Sequence, residues 1–240
     1  VSTLIDDQRR TGKTTDQLNE SGRRELLEVI DEESDRLDRF IEDLMALARI
    51  EAGELQLRRE WGSLEEIFAA AVKRAAPLLR RHKVELALAD GLPSVRVDER
   101  AVAEVIYVLL ENSAKYSPPE SIIRLSANEG DHGMVELMIE DQGPGIPPEL
   151  RERVFEKFFR APAGGDSGVR KPGSGMGLAV AKGIVEAHGG RIWIEDGPDA
   201  HGTKVRVLLP TGDVSNNHDN PLEAPQVSAP ARITVPSDGR

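Results

Sequence analysis

Apolar side chains at Leu26, Ile30, Leu37, Phe40, Leu44 and Leu47 recur in steps of three and four, and only Glu33 interrupts the seam. The flanking positions are filled mostly by Glu, Asp and Arg. That period predicts a helix over residues 22–50 with one apolar stripe. Its spacing suits antiparallel pairing with a helix ending near Gln8, and a second copy of the hairpin across a dimer axis. An amphipathic helix lying on its own globular domain is the alternative reading of the same pattern.

Past Gly53 and the Arg58-Arg59-Glu60-Trp61 stretch, the pattern changes to short alternating segments. Ser63 is placed to cap a helix running to about Arg81, with Glu65 and Glu66 in its first turn. Strands are expected at 84–88 and 94–97. Asp98 caps a second helix, whose Val102, Val105, Ile106, Leu109 and Leu110 face a core. Further strand patterns follow at 121–127, 134–140, 190–195 and 203–209, with a third helix at about 177–188. The order implies an α+β chain: an antiparallel helical hairpin, then a two-layer α/β sandwich in which helices cover one face of a mixed sheet. Residues 211–240 are rich in Asn, Asp, Ser and Pro without an apolar period, and a disordered tail is expected there. The expected domains are therefore 1–57, 58–210 and the tail 211–240. No internal repeat is evident.

Composition narrows the partners. The 240 residues carry 30% charged side chains and a formal net charge of −11, which argues against general nucleic-acid binding. An anion bound by such a chain must be held locally. There is no cysteine, which excludes disulfides and thiolate metal sites and fits a cytoplasmic location. No apolar run approaches the ~20 residues a membrane helix needs, and no signal-peptide pattern opens the chain. No membrane contact is expected from this chain itself. Val1 begins in what reads as the last turns of a helix, so a preceding segment is expected.

Three segments carry chemistry. In Gly173-Ser174-Gly175-Met176-Gly177-Leu178, glycines stand at every second position and lead straight into a helix. Glycine leaves no Cβ to keep a ligand off the backbone, and a helix start offers unpaired N–H groups and a positive dipole end. Together these suit an anion, most often phosphate. The segment lacks the Gly-Lys-Ser/Thr of a Walker loop and does not follow a strand. Asp141, in Asp141-Gln142-Gly143-Pro144-Gly145-Ile146, ends a strand as an acceptor suited to an exocyclic amine, and Gly143 and Gly145 admit a flat base. A plain turn after a strand is the alternative. In Leu109-Leu110-Glu111-Asn112-Ser113-Ala114-Lys115-Tyr116-Ser117, Asn112 offers a neutral oxygen to Mg²⁺ and Lys115 a point charge to phosphate. A polar helix end with a favourably placed cation would look the same.

In this order and spacing, the segments resemble the ATP-binding domain of bacterial sensor histidine kinases, the Bergerat-type fold shared with gyrase, Hsp90 and MutL. Residues 109–117 look like the family's N box and 141–145 like its G1 box. Residues 154–160 (Val-Phe-Glu-Lys-Phe-Phe-Arg) look like the F box, 173–178 like the G2 box, and Gly202-Thr203 like the closing G3 element. The match covers about residues 62–210, and the preceding hairpin resembles the dimerisation and histidine-phosphotransfer module. Trp61-Gly62-Ser63-Leu64-Glu65-Glu66 and Glu186-Ala187-His188-Gly189-Gly190-Arg191-Ile192-Trp193 look most like potassium-responsive, KdpD-type kinases.

The resemblance implies roles. Asp141 would accept the adenine amino group, Asn112 would ligate Mg²⁺, Lys115 would touch phosphate and Tyr116 would lie near the base. Gly173, Gly175 and Gly177 would let a lid at 160–172 fold over the triphosphate, with Met176 beside them and Leu178 starting the supporting helix. Gly143, Gly145 and Thr203 complete the nucleotide site, and Phe158 with Phe159 anchors the lid's base. ATP and Mg²⁺ are the implied cofactors. A homodimer and a response regulator's receiver domain are the implied partners.

Two departures stand out. Val108 occupies the position where the family's Asn-x-x-x-Asn begins, which also removes the Glu base that related ATPases carry there. None of His82, His132, His188, His201 and His218 is followed by the acidic residue and Arg/Lys-Thr/Ser-Pro of the family's phosphoacceptor. All five are assigned to structure or solvent, and the acceptor is expected upstream. A degenerate, non-catalytic nucleotide-binding regulator is the rival to a kinase core.

Overall fold

The computed structural model describes residues 20–161, 173–197 and 201–212. The expected helix ending near Gln8, most of the lid, His218 and nearly all of the tail lie outside the described residues. The chain forms two compact units, Val1–Met45 and Ala46–Arg240. In the first, the described part is the start of helix α1 (Glu20–Glu51), where the predicted stripe exposes Ile30, Leu37, Phe40 and Leu44. The ion pairs Arg24–Glu28 and Arg36–Glu33 lie one turn apart on its charged surface.

The second unit opens with the last turn of α1, where Leu47 is buried and Ile50 lies against Gly183. Strand β1 (Glu60–Gly62) then pairs antiparallel with β3 (Val95–Val97), a two-stranded sheet absent from the sequence expectation. Helix α2 (Leu64–Leu79) buries Leu64, Ile67, Phe68, Ala71, Ala75 and Leu79, one face at helical spacing. Ser63 stands at its N-cap, but the expected cap bond is not made. Its hydroxyl instead donates to the Glu65 carboxylate. Pro77 sits in the last turn, and the helix stops two residues later.

Strand β2 (Lys83–Leu88) leads to β3 and to helix α3 (Glu99–Tyr116). Here the predicted cap is made: Asp98 Oδ1 accepts from the Ala101 amide at 3.1 Å. Strands β4 (Ile122–Glu129) and β5 (Met134–Glu140), helix α4 (Gly177–Ala187), and strands β6 (Arg191–Asp196) and β7 (Thr203–Pro210) complete the unit. The main sheet has the order β2-β4-β5-β7-β6, parallel between β2 and β4 and antiparallel elsewhere.

Alternation along the strands separates the two faces of this sheet. Ile123, Leu125, Ala127, Val135, Leu137, Ile139, Val205, Val207 and Leu209 are buried in one core with the inner faces of α2, α3 and α4. The opposite row is charged and internally paired: Arg124 with Glu85 and Glu140, Lys204 with Glu140, and Arg206 with Glu136 and Glu195. The predicted sandwich, with helices covering one face of a mixed sheet, is the observed one.

Candidate functional site

The site forms where α3 ends, β5 ends and α4 begins. Asp141 follows β5 directly and is 7% exposed. Its Oδ1 accepts from the amides of Gly143 at 2.8 Å and Thr203 at 3.2 Å, and its Oδ2 accepts from the Ser113 hydroxyl at 3.2 Å. Burial pushes this carboxyl above the usual carboxylate range, while the Gly143 and Thr203 amides and the Ser113 and Thr203 hydroxyls pull it back. Gln142 pins the turn by accepting from the Ile122 amide of β4 at 2.8 Å.

Gly202 and Gly173 are fixed by close approach. A Cβ on Gly202, at φ +77°, would lie 1.8 Å from the Asp141 carbonyl oxygen, so only glycine lets the start of β7 cross the end of β5. A Cβ on Gly173 would lie 2.5 Å from Nζ of Lys115, which places the ammonium against bare backbone at the head of the glycine run. Gly143 lies beside the Tyr116 carbonyl and Gly145 beside Gly202.

The last turn of α3 carries Asn112 and Lys115, both half-buried, and Tyr116, which is exposed and 5.1 Å from the Lys115 ammonium. His82 holds this turn from behind: its Nε2 donates to the Ala114 carbonyl at 3.1 Å, and its Nδ1 meets the Ser121 hydroxyl at 3.1 Å. At the other wall, Gly177 begins α4 with Val108 of α3 packed on it, and Gly175 lies against the backbone of Phe158 and Phe159. Phe158 is 56% exposed with φ +60°, and Phe159 is half-buried beneath the Arg153 guanidinium. Met176 is fully buried, its carbonyl accepts the first helical bond from Val180, and Leu178 packs on the core. No side-chain cap is made on α4, and the amide of Met176, its N-cap, donates to the Ser174 hydroxyl at 3.2 Å.

The described parts of the N, G1, F, G2 and G3 segments thus converge on one region. The sequence reading assigned no role to Ser113, although its signal was present: it continues the buried spacing of Val102, Val105, Ile106, Leu109 and Leu110 as the one polar member. His188 is buried as well. Its Nδ1 donates to the Ile184 carbonyl at 2.8 Å, and its Nε2 accepts from the Asp98 amide at 3.0 Å. Among the described residues, no three His, Asp or Glu side chains gather to hold a metal, and no helix is long and apolar enough to cross a membrane.

Comparison with known proteins identifies the family. Residues 97–213 match the family described as histidine kinase-, DNA gyrase B- and HSP90-like ATPase. The chain is 35% identical to the sensor protein KdpD of Escherichia coli (strain K12) over 72% of its own length and 18% of the relative. For the KdpD of Clostridium acetobutylicum the values are 31%, 73% and 19%, so the chain spans about a fifth of these curated relatives. A solved structure titled mycobacterial sensor histidine kinase MprB is 32% identical, with a TM-score of 0.56. The match covers 63% of this chain and 97% of that one. The buried acceptor at Asp141, the glycine-headed helix and these likenesses lead to one assignment: the chain belongs to the sensor histidine kinases of that ATPase family.

Proposed function

We propose that residues 58–210 are the ATP-binding catalytic domain of a two-component sensor kinase, preceded by part of a helical hairpin in residues 1–57 and followed by a tail at 211–240. The observation that carries this reading is that one end of α3 serves both features: Ser113 bonds the buried Asp141 carboxylate, a base acceptor, and Lys115, two residues on, meets the Gly173 backbone, a phosphate cradle. Asp141 accepts the adenine amino group, with Gly143 and Gly145 admitting the ring and Tyr116 beside it. Lys115 and the amides at 173–178 hold the polyphosphate. Asn112 is the residue that would hold Mg²⁺, which supplies charge neutralisation on the phosphates.

The reaction is phosphoryl transfer. The bond from the γ-phosphorus to its bridging oxygen breaks, ADP leaves, and a phosphorus–nitrogen bond forms on a histidine; an aspartate of a response regulator then takes the group. This chain's share is positioning and electrostatics. The histidine lies outside this chain's matched motifs: His82 and His188 are held by hydrogen bonds, and His132 and His201 are exposed at turns. The exposed stripe of α1 supports a homodimer.

Val108 favours a second reading, a nucleotide-binding regulator without turnover, because a buried valine supplies no polar group at the N-box start. Calorimetry with a non-hydrolysable ATP analogue and Mg²⁺ tests the site: binding is expected, with Asp141→Asn abolishing it. Labelled ATP and a histidine-bearing helical hairpin supplied in trans test transfer. Binding without transfer selects the regulator.

A further inference from the structure

We propose that Ser113 is a positioning residue for base recognition: by donating to Oδ2 of Asp141 it holds that carboxylate in the charged, acceptor-only form that distinguishes adenine from guanine. The inference rests on Asp141 being the base acceptor and deepens that reading.

Ser113 is 2% exposed and sits on the inner face of α3, one turn past the buried Leu109 and Leu110. A helical serine commonly satisfies its hydroxyl on the carbonyl one turn back. This one reaches to the end of β5, 28 residues along the chain. The two bonds to Oδ1 come from backbone amides and persist whatever side chains surround them. The bond to Oδ2 depends on residue 113. A charged carboxylate can only accept, so it welcomes the adenine amino group and repels the guanine carbonyl at the same ring position. A protonated carboxyl donates, and would tolerate guanine. Burial already works against the charged form at Asp141, which makes each remaining donor count.

The surroundings supply no charge to do this instead. Asp141 is faced by Ser113 from α3, Gly143 from its own turn and Thr203 from β7, all neutral, with the Thr203 hydroxyl assisting. Glu140, its neighbour in β5, belongs to the outer row and pairs with Arg124 and Lys204. Lys115 on α3 lies toward Gly173, and His82 is bound to Ala114 and Ser121 behind the helix.

The experiment follows the Asp141 carboxyl carbon by carbon-13 NMR titration in the nucleotide-free chain, together with ATP- and GTP-analogue affinities between pH 5.5 and 8. In Ser113→Ala, the Asp141 midpoint is expected to rise by about one pH unit. ATP-analogue affinity should fall by up to about tenfold, most at the acid end, and preference over GTP should narrow there. Ser113→Thr, which keeps the hydroxyl, should restore both. A thermal melt confirms that each variant is folded. An unmoved Asp141 midpoint in folded Ser113→Ala overturns the inference while leaving the nucleotide site intact. A moved midpoint with no ATP-analogue binding by the native chain overturns the site assignment, and the inference with it.

Discussion

The Asp98 amide donates to Nε2 of His188 across 3.0 Å, joining the start of α3 to the end of α4 at the ends of those helices remote from Lys115 and Gly177. Around this bond, Asp98 Oδ2 accepts from the Arg58 amide at 2.9 Å, and the Arg59 guanidinium donates to the Ala187 carbonyl at 2.6 Å. Both helices that frame the site are therefore tied to each other and to the segment entering from α1.

This tie fixes His188 as the neutral tautomer protonated at Nδ1, since Nε2 must accept. Burial lowers its pKa below the ordinary histidine value; Arg59 adds to that, and the Ile184 carbonyl and Asp98 oppose it. Above the unfolded histidine value of about 6.5 neither state carries the proton, and the full stability is present. As pH falls below that value the unfolded chain takes up a proton the folded chain resists, so stability is lost. Thermal melts from pH 7.5 to 5 should show this decline. His188→Ala should flatten it and cost about 2–4 kcal/mol at pH 7.5.

Asp141→Asn should separate binding from stability. The folded carboxyl titrates above its unfolded value, so its contribution is greatest at acid pH and is lost as pH rises through the raised value. Once ionised, the native carboxylate bears the cost of a buried charge. The variant should melt at or above the native temperature at pH 7 while losing ATP-analogue binding by calorimetry. A lower melting temperature with retained binding would reverse both assignments.

Lys115→Met should discriminate phosphate from base. With a charge-assisted contact removed, ATP-analogue affinity should fall about tenfold and adenosine affinity should stay within twofold. Equal losses for both ligands would place Lys115 elsewhere in the site.

Gly202→Ala is expected to cost about 3 kcal/mol or more, because its Cβ meets the Asp141 carbonyl in the interior of a strand crossing. Urea unfolding measures this. Gly173→Ala, at φ +158° with only the tip of Lys115 to displace, should cost less than Gly202→Ala.

Leu37→Glu should weaken self-association at α1, where Leu37 is 61% exposed on the apolar stripe. Sedimentation equilibrium should show the dimer constant rising about tenfold or more, with nucleotide binding unaffected. An unchanged constant would remove this stripe from the dimer.

Much of the fold could be read locally. The Asp98 cap, the apolar face of α3 and the alternating strands each depend on neighbours a few residues away, and the structure has them. What could not be read depends on distant backbone. Strand β1 has three residues, and its partner Arg96 is 35 positions past Trp61. His188 looks like a turn residue until the Asp98 amide, 90 positions earlier, is placed beside it. Ser63 shows a local rule overruled by the nearer Glu65 carboxylate. Within the candidate site, glycine spacing marked the segment that meets Lys115, whereas the Gly202–Asp141 crossing needed the sheet order.

Gly183 has one further consequence. A Cβ there would stand 2.7 Å from Ile50, so the final turn of α1 rests on α4 only because a methyl group is missing. Any larger residue at 183 would act as a wedge, and either Ile50 would be lifted from its seat or the glycine-headed helix would be pushed off its bearing on the sheet.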